Sequence, residues 1–285
     1  MISITSISSM HEYINTNKNK GKTVGFVPTM GYLHDGHLSL MQEAREKNDL
    51  AFASIYVNPT QFGPNEDFNR YPRDLERDKD LLAKVGIDCL FTPISEEMYP
   101  KGYRTYVEVE TLSTKLCGHS RPGHFRGVTT IVCKLLNIIK PTSAYFGQKD
   151  IQQVTIIKKM VTDLNIGCLI EVMPTVRDKD GLALSSRNIY LNKEERLQAA
   201  FIYKALKKAE AMILNEERDC NRIIAEISNI ISQCSLARID YIKICDLENL
   251  EHLDLITNHA IITIAVFFGK TRLIDNITVT VIPLQ

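Results

Sequence analysis

The sequence lacks three things, and each absence removes a class of function. It has no excess of either charge, with 34 Lys+Arg against 34 Asp+Glu. No basic field is therefore available for counterion-driven binding to nucleic acid, and any anionic ligand must be held by a local site. It has no apolar run near bilayer-spanning length, and the opening MISITSISSMHEYINTNKNKGK is too polar for a signal-peptide core. No membrane partner is expected. It also has no CxxC pair. Seven scattered cysteines, an odd number, suit a reducing cytoplasm better than a disulfide framework. Low-complexity tracts and internal repeats are missing too. What is present, 285 residues at 44% hydrophobic and 24% charged, is the composition of an ordinary globular protein long enough for two domains.

Along the chain, short apolar runs alternate with helical patterns. KTVGFVP, LAFASIYV, DCLFTP, SAYFG and CLIEVMPTV read as buried strands. Between them DGHLSLMQEAREKND, RDLERDKDLLAKVG, GVTTIVCKLLNIIKP and DIQQVTIIKKMVTDLN read as helices, the first with Asp35 as N-cap. Strands alternating with helices predict an α/β, Rossmann-like parallel sheet covered on both faces. Beyond about Arg177 the rhythm changes. NKEERLQAAFIYKALKKAEAMILNEE reads as one long helix opened by an Asn192/Glu195 capping box, and DCNRIIAEISNIISQC as a second. Three strand-like runs follow: RIDYIKIC, AIITIAVFFG and RLIDNITVTVI. The expected organisation is a parallel-sheet domain over 1–175 and a smaller α+β domain over 176–285.

The feature that asks for a function is FVPTMGYLHDGHLSL, where His34 and His37 stand three apart between a strand and a helix. In an open α/β sheet, ligands settle beyond the carboxyl ends of the strands. A helix N-terminus there favours phosphate, and two imidazoles at i, i+3 fall on one side of the first turn. Either histidine equally reads as a satisfied polar residue at a loop–helix junction. Zinc fits poorly. The metalloprotease pattern is HExxH, whereas here the spacing is shorter and Asp35 replaces the Glu. Cys117, His119 and His124 in CGHSRPGH match no common zinc spacing either, so no resident metal is expected.

Other strings carry weaker signals. In FGQKD, Gly147 permits close backbone approach and Lys149 offers a point charge, while Asp150 suits a helix cap or a Mg²⁺–nucleotide complex. LSSRN offers Ser185, Ser186 and the fork of Arg187, and it also reads as a Ser-rich turn before a helix.

Taken together, HDGH resembles the HIGH signature of adenylyl- and nucleotidyl-transferring Rossmann-like enzymes. More narrowly, FVPTMGYLHDGH, VNPTQFGPNEDF, RPGHFRGV, YFGQKDIQQ and DGLALSSRNIYL resemble, in that order, the pantoate–β-alanine ligase (pantothenate synthetase) family. The resemblance runs from about Lys22 through the C-terminal region. Tyr32 stands where that family often has a small or amide residue, Leu184 replaces a frequent methionine, and LCGHS varies a common LEG stretch.

The resemblance implies ATP-dependent joining of pantoate to β-alanine through a bound pantoyl adenylate, with release of AMP and pyrophosphate. It implies ATP as co-substrate with Mg²⁺, a homodimer in the cytoplasm, and a C-terminal domain acting as a lid. To ATP it gives Met30, Gly31, Tyr32, Leu33, His34, Asp35, Gly36 and His37, then Gly147, Gln148, Lys149 and Asp150. Val176, Leu184, Ser185, Ser186 and Arg187 complete that set. His34, His37, Lys149, Ser185, Ser186 and Arg187 are the expected catalytic residues. To pantoate it gives Gln61 and Gln153, with Gln61 also meeting β-alanine. Tyr71 and Arg121 are weaker candidates for the same pocket, and both equally read as structural residues. The rivals are a nucleotidyltransferase acting on a phosphate ester and a nucleotide-binding regulatory module without turnover.

Overall fold

A computed structural model describes residues 1–18, 20–64 and 66–281. Asn19, Asn65 and Ile282, which fall within three of the strings quoted above, lie outside the described residues. The chain divides into two units. The first comprises Met1–Thr114, Gly118–Gln148 and Ile156–Pro174, and the second Lys115–Cys117, Lys149–Thr155 and Thr175–Gln285. Whereas the sequence suggests a single cut, two short earlier segments also fall in the second unit.

Continuous apolar strands need cover on both faces, and the first unit supplies it. Its six strands are β1 (Ile2–Ile4), β2 (Val24–Thr29), β3 (Leu50–Ile55), β4 (Cys89–Phe91), β5 (Ser143–Gly147) and β6 (Leu169–Met173). They pair in parallel in the order β1-β4-β3-β2-β5-β6. The helices are α1 (Ile7–Lys18), α2 (Asp35–Lys47), α3 (Leu75–Val85), two single turns α4 (Ser95–Met98) and α5 (Cys117–Ser120), α6 (His124–Ile139) and α7 (Ile151–Asp163). Side chains alternate across the sheet. Val27, Ala51 and Ala53 pack with Leu40, Met41 and Ala44 of α2 and Leu82 of α3. On the other face the ring of Phe52 meets Tyr13 of α1 at 5.7 Å. The sequence reading had no β1 or α1, and α6 starts three residues before the predicted helix.

In the second unit, α8 (Lys193–Ala199), α9 (Phe201–Leu214) and α10 (Cys220–Ser232) precede β7 (Ala237–Cys245), β8 (His259–Phe268) and β9 (Thr271–Thr280). These strands form an antiparallel sheet in that order. Period-2 residues Ile262, Ile264 and Val266 of β8 pack with Ile202, Leu206 and Ala209 of α9 and Ile223 and Ile227 of α10. Each of these Ile, Leu and Val side chains contributes about 1.5–3 kcal/mol when fully buried. The expected single helix is two. The capping box of Asn192 and Glu195 is present, but the Ala200 N–H turns back to the Gln198 carbonyl, interrupting the i→i−4 ladder. Among the described residues no helix is long and apolar enough to cross a membrane.

Candidate active site

Sheet order decides where a ligand can settle. From β2 the chain builds outward through β3 and β4, then returns to place β5 and β6 on the other side of β2. The carboxyl ends of β2 and β5 therefore flank a topological switch point. The histidine turn leaves β2 there, Gly147 ends β5, and Gln61 follows the adjacent β3 in a short 3-10 turn (Pro59–Gln61).

The turn itself is tightly specified. Gly31 and Tyr32 both take positive φ, at 82° and 51°, and a Cβ on Gly31 would stand 2.9 Å from Ile55 Cγ2. His34 then returns to extended backbone and is the N-cap of α2. This corrects the expectation for Asp35, which is already the first helical residue. The His34 carbonyl accepts from the N–H groups of His37 and Leu38 at 2.7 and 3.1 Å, so the helix starts one residue earlier.

The donors of the turn are largely committed. The Gly31 N–H donates to Thr29 Oγ1, and those of Tyr32 and Leu33 donate to the buried Asp78 carboxylate. The His34 N–H donates to His37 Nδ1 at 3.4 Å. His37 is thereby held with its hydrogen on Nε2, a donor suited to a phosphate oxygen. The two imidazoles lie against each other with centroids 4.0 Å apart and planes tilted by 35°, a distance at which two cations would repel. Among the described residues the amides of Asp35 and Gly36 make no hydrogen bond within the chain. These two first-turn N–H groups are where the helix can receive an anion.

Gln61 is buried and its amide is oriented. Its Oε1 accepts from Asn58 Nδ2 at 3.1 Å, and its Nε2 lies 3.2 Å from Met30 Sδ. The histidine turn and Gln61 are thus brought into contact. Asn58 is itself fixed by Tyr99, whose hydroxyl donates to Asn58 Oδ1 at 2.8 Å. The Gln61 carbonyl meets His124 Nδ1 at 2.8 Å, while Arg121 Nη1 lies 2.9 Å from His124 Nε2. Because a guanidinium only donates, Nε2 accepts and Nδ1–H donates to Gln61. Arg121 also forks onto Glu66 at 2.8 and 2.5 Å. Burial raises the Glu66 carboxyl, but the bonds and charge of Arg121 outweigh it and leave it below the usual carboxylate range. Arg121 is therefore committed to holding this loop. Tyr71 is buried with its ring edge against Phe62 at 6.0 Å.

The second unit gathers the other predicted residues. Lys149 Nζ stands 3.8 Å from Asp150 Oδ2, and the Lys149 carbonyl accepts from Asn276 Nδ2 at 2.9 Å. Of the paired glutamines, Gln152 spends its amide on the Cys117 N–H and the Lys115 carbonyl. Gln153 beside it is partly exposed. Val176 and Leu184 are joined by the Leu184 N–H donating to the Val176 carbonyl at 3.0 Å, and an antiparallel bridge links Arg177 with Ala183. This hairpin delivers Ser185, whose Oγ accepts from the Arg187 N–H, and Ser186, which is buried. At its base Arg177 forks onto Asp275 at 2.5 and 3.0 Å and lies over the Tyr203 ring at 3.9 Å.

Sequence reasoning missed Asn58, Arg77 and Asp78. For Asp78 a signal existed. It occupies the apolar stripe of α3 at 75, 78, 82 and 85, where a carboxylate requires an explanation.

Comparison with known proteins gives a consistent result. The model of the pantoate–β-alanine ligase family matches residues 2–278. The pantothenate synthetase of Acetivibrio thermocellus is 54% identical over 278 residues, covering 98% of this chain and 99% of that relative. That of Fervidobacterium nodosum is 55% identical over 276 residues, covering 97% and 98%. The crystal structure of pantothenate synthetase from Thermus thermophilus superposes with a TM-score of 0.93 at 42% identity, covering 97% of this chain and 99% of that one. The Francisella tularensis pantoate–β-alanine ligase, solved with β,γ-ATP and β-alanine, gives 0.79 at 39% identity and 97% of each chain.

Proposed function

The chain belongs to the pantoate–β-alanine ligase family, and from that premise we propose how its residues divide the chemistry. Membership makes it a ligase of pantothenate biosynthesis that uses ATP. The first step we assign is attack of the pantoate carboxylate oxygen on the α-phosphorus of ATP. The bond to the bridging oxygen breaks, and pyrophosphate leaves. In the second step the neutral amine of β-alanine attacks the acyl carbon, the bond to AMP breaks, and the amine proton goes to solvent or a nearby base. Pantoate is ionised at neutral pH, so the first step needs placement and charge neutralisation rather than a base.

The observation that carries this reading is the histidine turn, with two uncommitted amides and an Nε2–H donor at the switch point of the sheet. His37 is assigned to charge developing on the phosphates, with His34 beside it. Lys149, Ser185, Ser186 and Arg187 follow the charge moving onto pyrophosphate. Met30–Gly36, Gly147, Gln148, Asp150, Val176 and Leu184 contact the nucleotide. Gln61 and Gln153 hold pantoate, Gln61 also meets β-alanine, and Tyr71 contributes a wall. No protein nucleophile is needed, since AMP is a good leaving group.

Mg²⁺ fits as an ion arriving with the triphosphate, because it usually keeps several waters and takes one or two carboxylates. Among the described residues no group of three or more His, Cys, Asp or Glu side chains is placed to hold a metal, and half-exposed Asp150 would offer a carboxylate to an ion held mainly by the triphosphate and water. When bound it offsets phosphate charge. A cytoplasmic homodimer, and residues 176–285 acting as a lid, rest on the family resemblance. Isotope exchange between pyrophosphate and ATP tests the activation step. We expect exchange that requires pantoate and proceeds without β-alanine, and exchange indifferent to pantoate would overturn the acyl-adenylate route.

A further inference from the structure

Resting on that reading, we propose that Asp78 is a positioning residue that sets the two histidines without touching the substrate. The turn before α2 is costly to hold. Successive positive φ values at Gly31 and Tyr32 include a bulky residue in a region that costs about 1–3 kcal/mol. The Asp78 carboxylate, 1% exposed, offsets this by accepting the Tyr32 N–H at 2.7 Å and the Leu33 N–H at 2.8 Å. Its neighbour Arg77 donates to the Leu33 carbonyl at 2.9 Å, stands 3.4 Å from Asp78 Oδ1, and lies 5.1 Å over the Tyr32 ring. Leu33 is therefore held at both its N–H and its C=O by consecutive residues of α3.

The consequence reaches the histidines through one peptide bond. Leu33 precedes His34, whose own N–H donates to His37 Nδ1. A shift of Leu33 moves that donor and releases His37 from the tautomer that presents Nε2–H. Asp78 also occupies two N–H groups that would otherwise compete for an anion, leaving Asp35 and Gly36 to receive it. A buried carboxylate so near a phosphate site would repel the ligand, and the Arg77 guanidinium offsets that charge.

The test uses the full-length chain and two readouts: AMP formation with ATP varied, and ¹⁵N imidazole correlation spectra of His37 without ligand. Asp78→Asn keeps the size but turns an N–H₂ toward one of the two amides. The expected loss in kcat/KM for ATP is on the order of 100-fold, the size of an ångström-scale misplacement. His37 should pass from a single Nε2–H signature to a tautomer mixture. Arg77→Ala, at a half-exposed position, should shift both readouts the same way by less, and it carries the test should Asp78→Asn not fold. Leu81→Ala thins the packing of α3 against the same apolar cluster but removes no hydrogen bond of the turn, so it should lower the melting temperature and leave both readouts at the wild-type level. Wild-type turnover and an unchanged His37 spectrum in Asp78→Asn would overturn the assignment, as would the same kinetic defect in Leu81→Ala. Should the wild-type chain form no AMP, the functional reading fails while the imidazole spectra still decide the role of Asp78.

Discussion

The two segments proposed to meet phosphate are built in opposite ways. The histidine turn is fixed through its main chain: a buried carboxylate takes two of its amides and a strand of the central sheet feeds it. The hairpin over 176–187 is fixed through side chains. Arg177 grips Asp275 from within, while Arg196 reaches Asp178 and Asp180 at 2.7 and 2.6 Å in contacts open to solvent. The Arg196 bonds hold the Asp180 carboxyl below its usual range. Exposed pairs of this kind contribute about 0–1 kcal/mol, so the outer side of the hairpin is held weakly. Under the proposed function the turn is a preorganised site, whose donors need not move as charge develops.

The largest effect should come from the preorganised side. His37→Ala removes the Nε2–H donor proposed to meet phosphate and also the acceptor that orders His34. A loss of about 10²–10³ in kcat, or ~3–4 kcal/mol of transition-state stabilisation, is expected by analogy with removal of an oxyanion donor. Single-turnover AMP formation would show it. Full turnover in that variant would abolish the contrast, because the turn would then be scaffold only.

The two segments were legible in the sequence while the groups that hold them were not, and the reasons are local. β2, the loop and α2 were readable because a buried parallel strand is an unbroken apolar run and the two histidines break it at a fixed spacing. SAYFG became β5 without change of boundary for the same reason. The N-cap was misassigned because Asp is a better cap than His by propensity, while the choice is made by which carbonyl first accepts a helical N–H. β1 was missed because ISI is three residues at a sheet edge, too short for a period. Asp78 stayed hidden among the charges of RDLERDKDLL: its place on the apolar stripe of α3 marks it, but the amides it accepts from appear only where α3 packs against the turn. Families of motif residues can be read from a string. The groups that hold them in place are scattered along the chain and emerge only in three dimensions.

The next effect should be on stability and on the other side of the comparison. Gly181 closes the hairpin at φ +93°, and a Cβ there would lie 2.2 Å from Tyr203 Cδ1. Gly181→Ala must move the Tyr203 ring on which Arg177 rests, besides straining the backbone. A destabilisation of about 2–3 kcal/mol is expected from strain and repacking. It should be visible in thermal unfolding, with the KM for ATP rising in the molecules that stay folded. A variant as stable as wild type would mean that the hairpin yields without cost and is anchored even more weakly than its contacts indicate.

The smallest effect on stability is the sharpest test of the turn side. Gly147 ends β5 beside the histidine turn, yet its φ is not positive and a Cβ added to it meets no atom within 4 Å. Nothing in the fold asks for glycine there, in contrast to Gly31, where a Cβ would approach both Ile55 and Asp78. Gly147→Ala should therefore change unfolding free energy by no more than about 0.5 kcal/mol, as for other substitutions away from packed sites. If a nucleotide comes close to this backbone, the same methyl must collide with it, and the KM for ATP should rise several-fold at constant melting temperature. A silent substitution in both measurements would separate Gly147 from the ligand and confine the nucleotide contact on the first unit to the histidine turn.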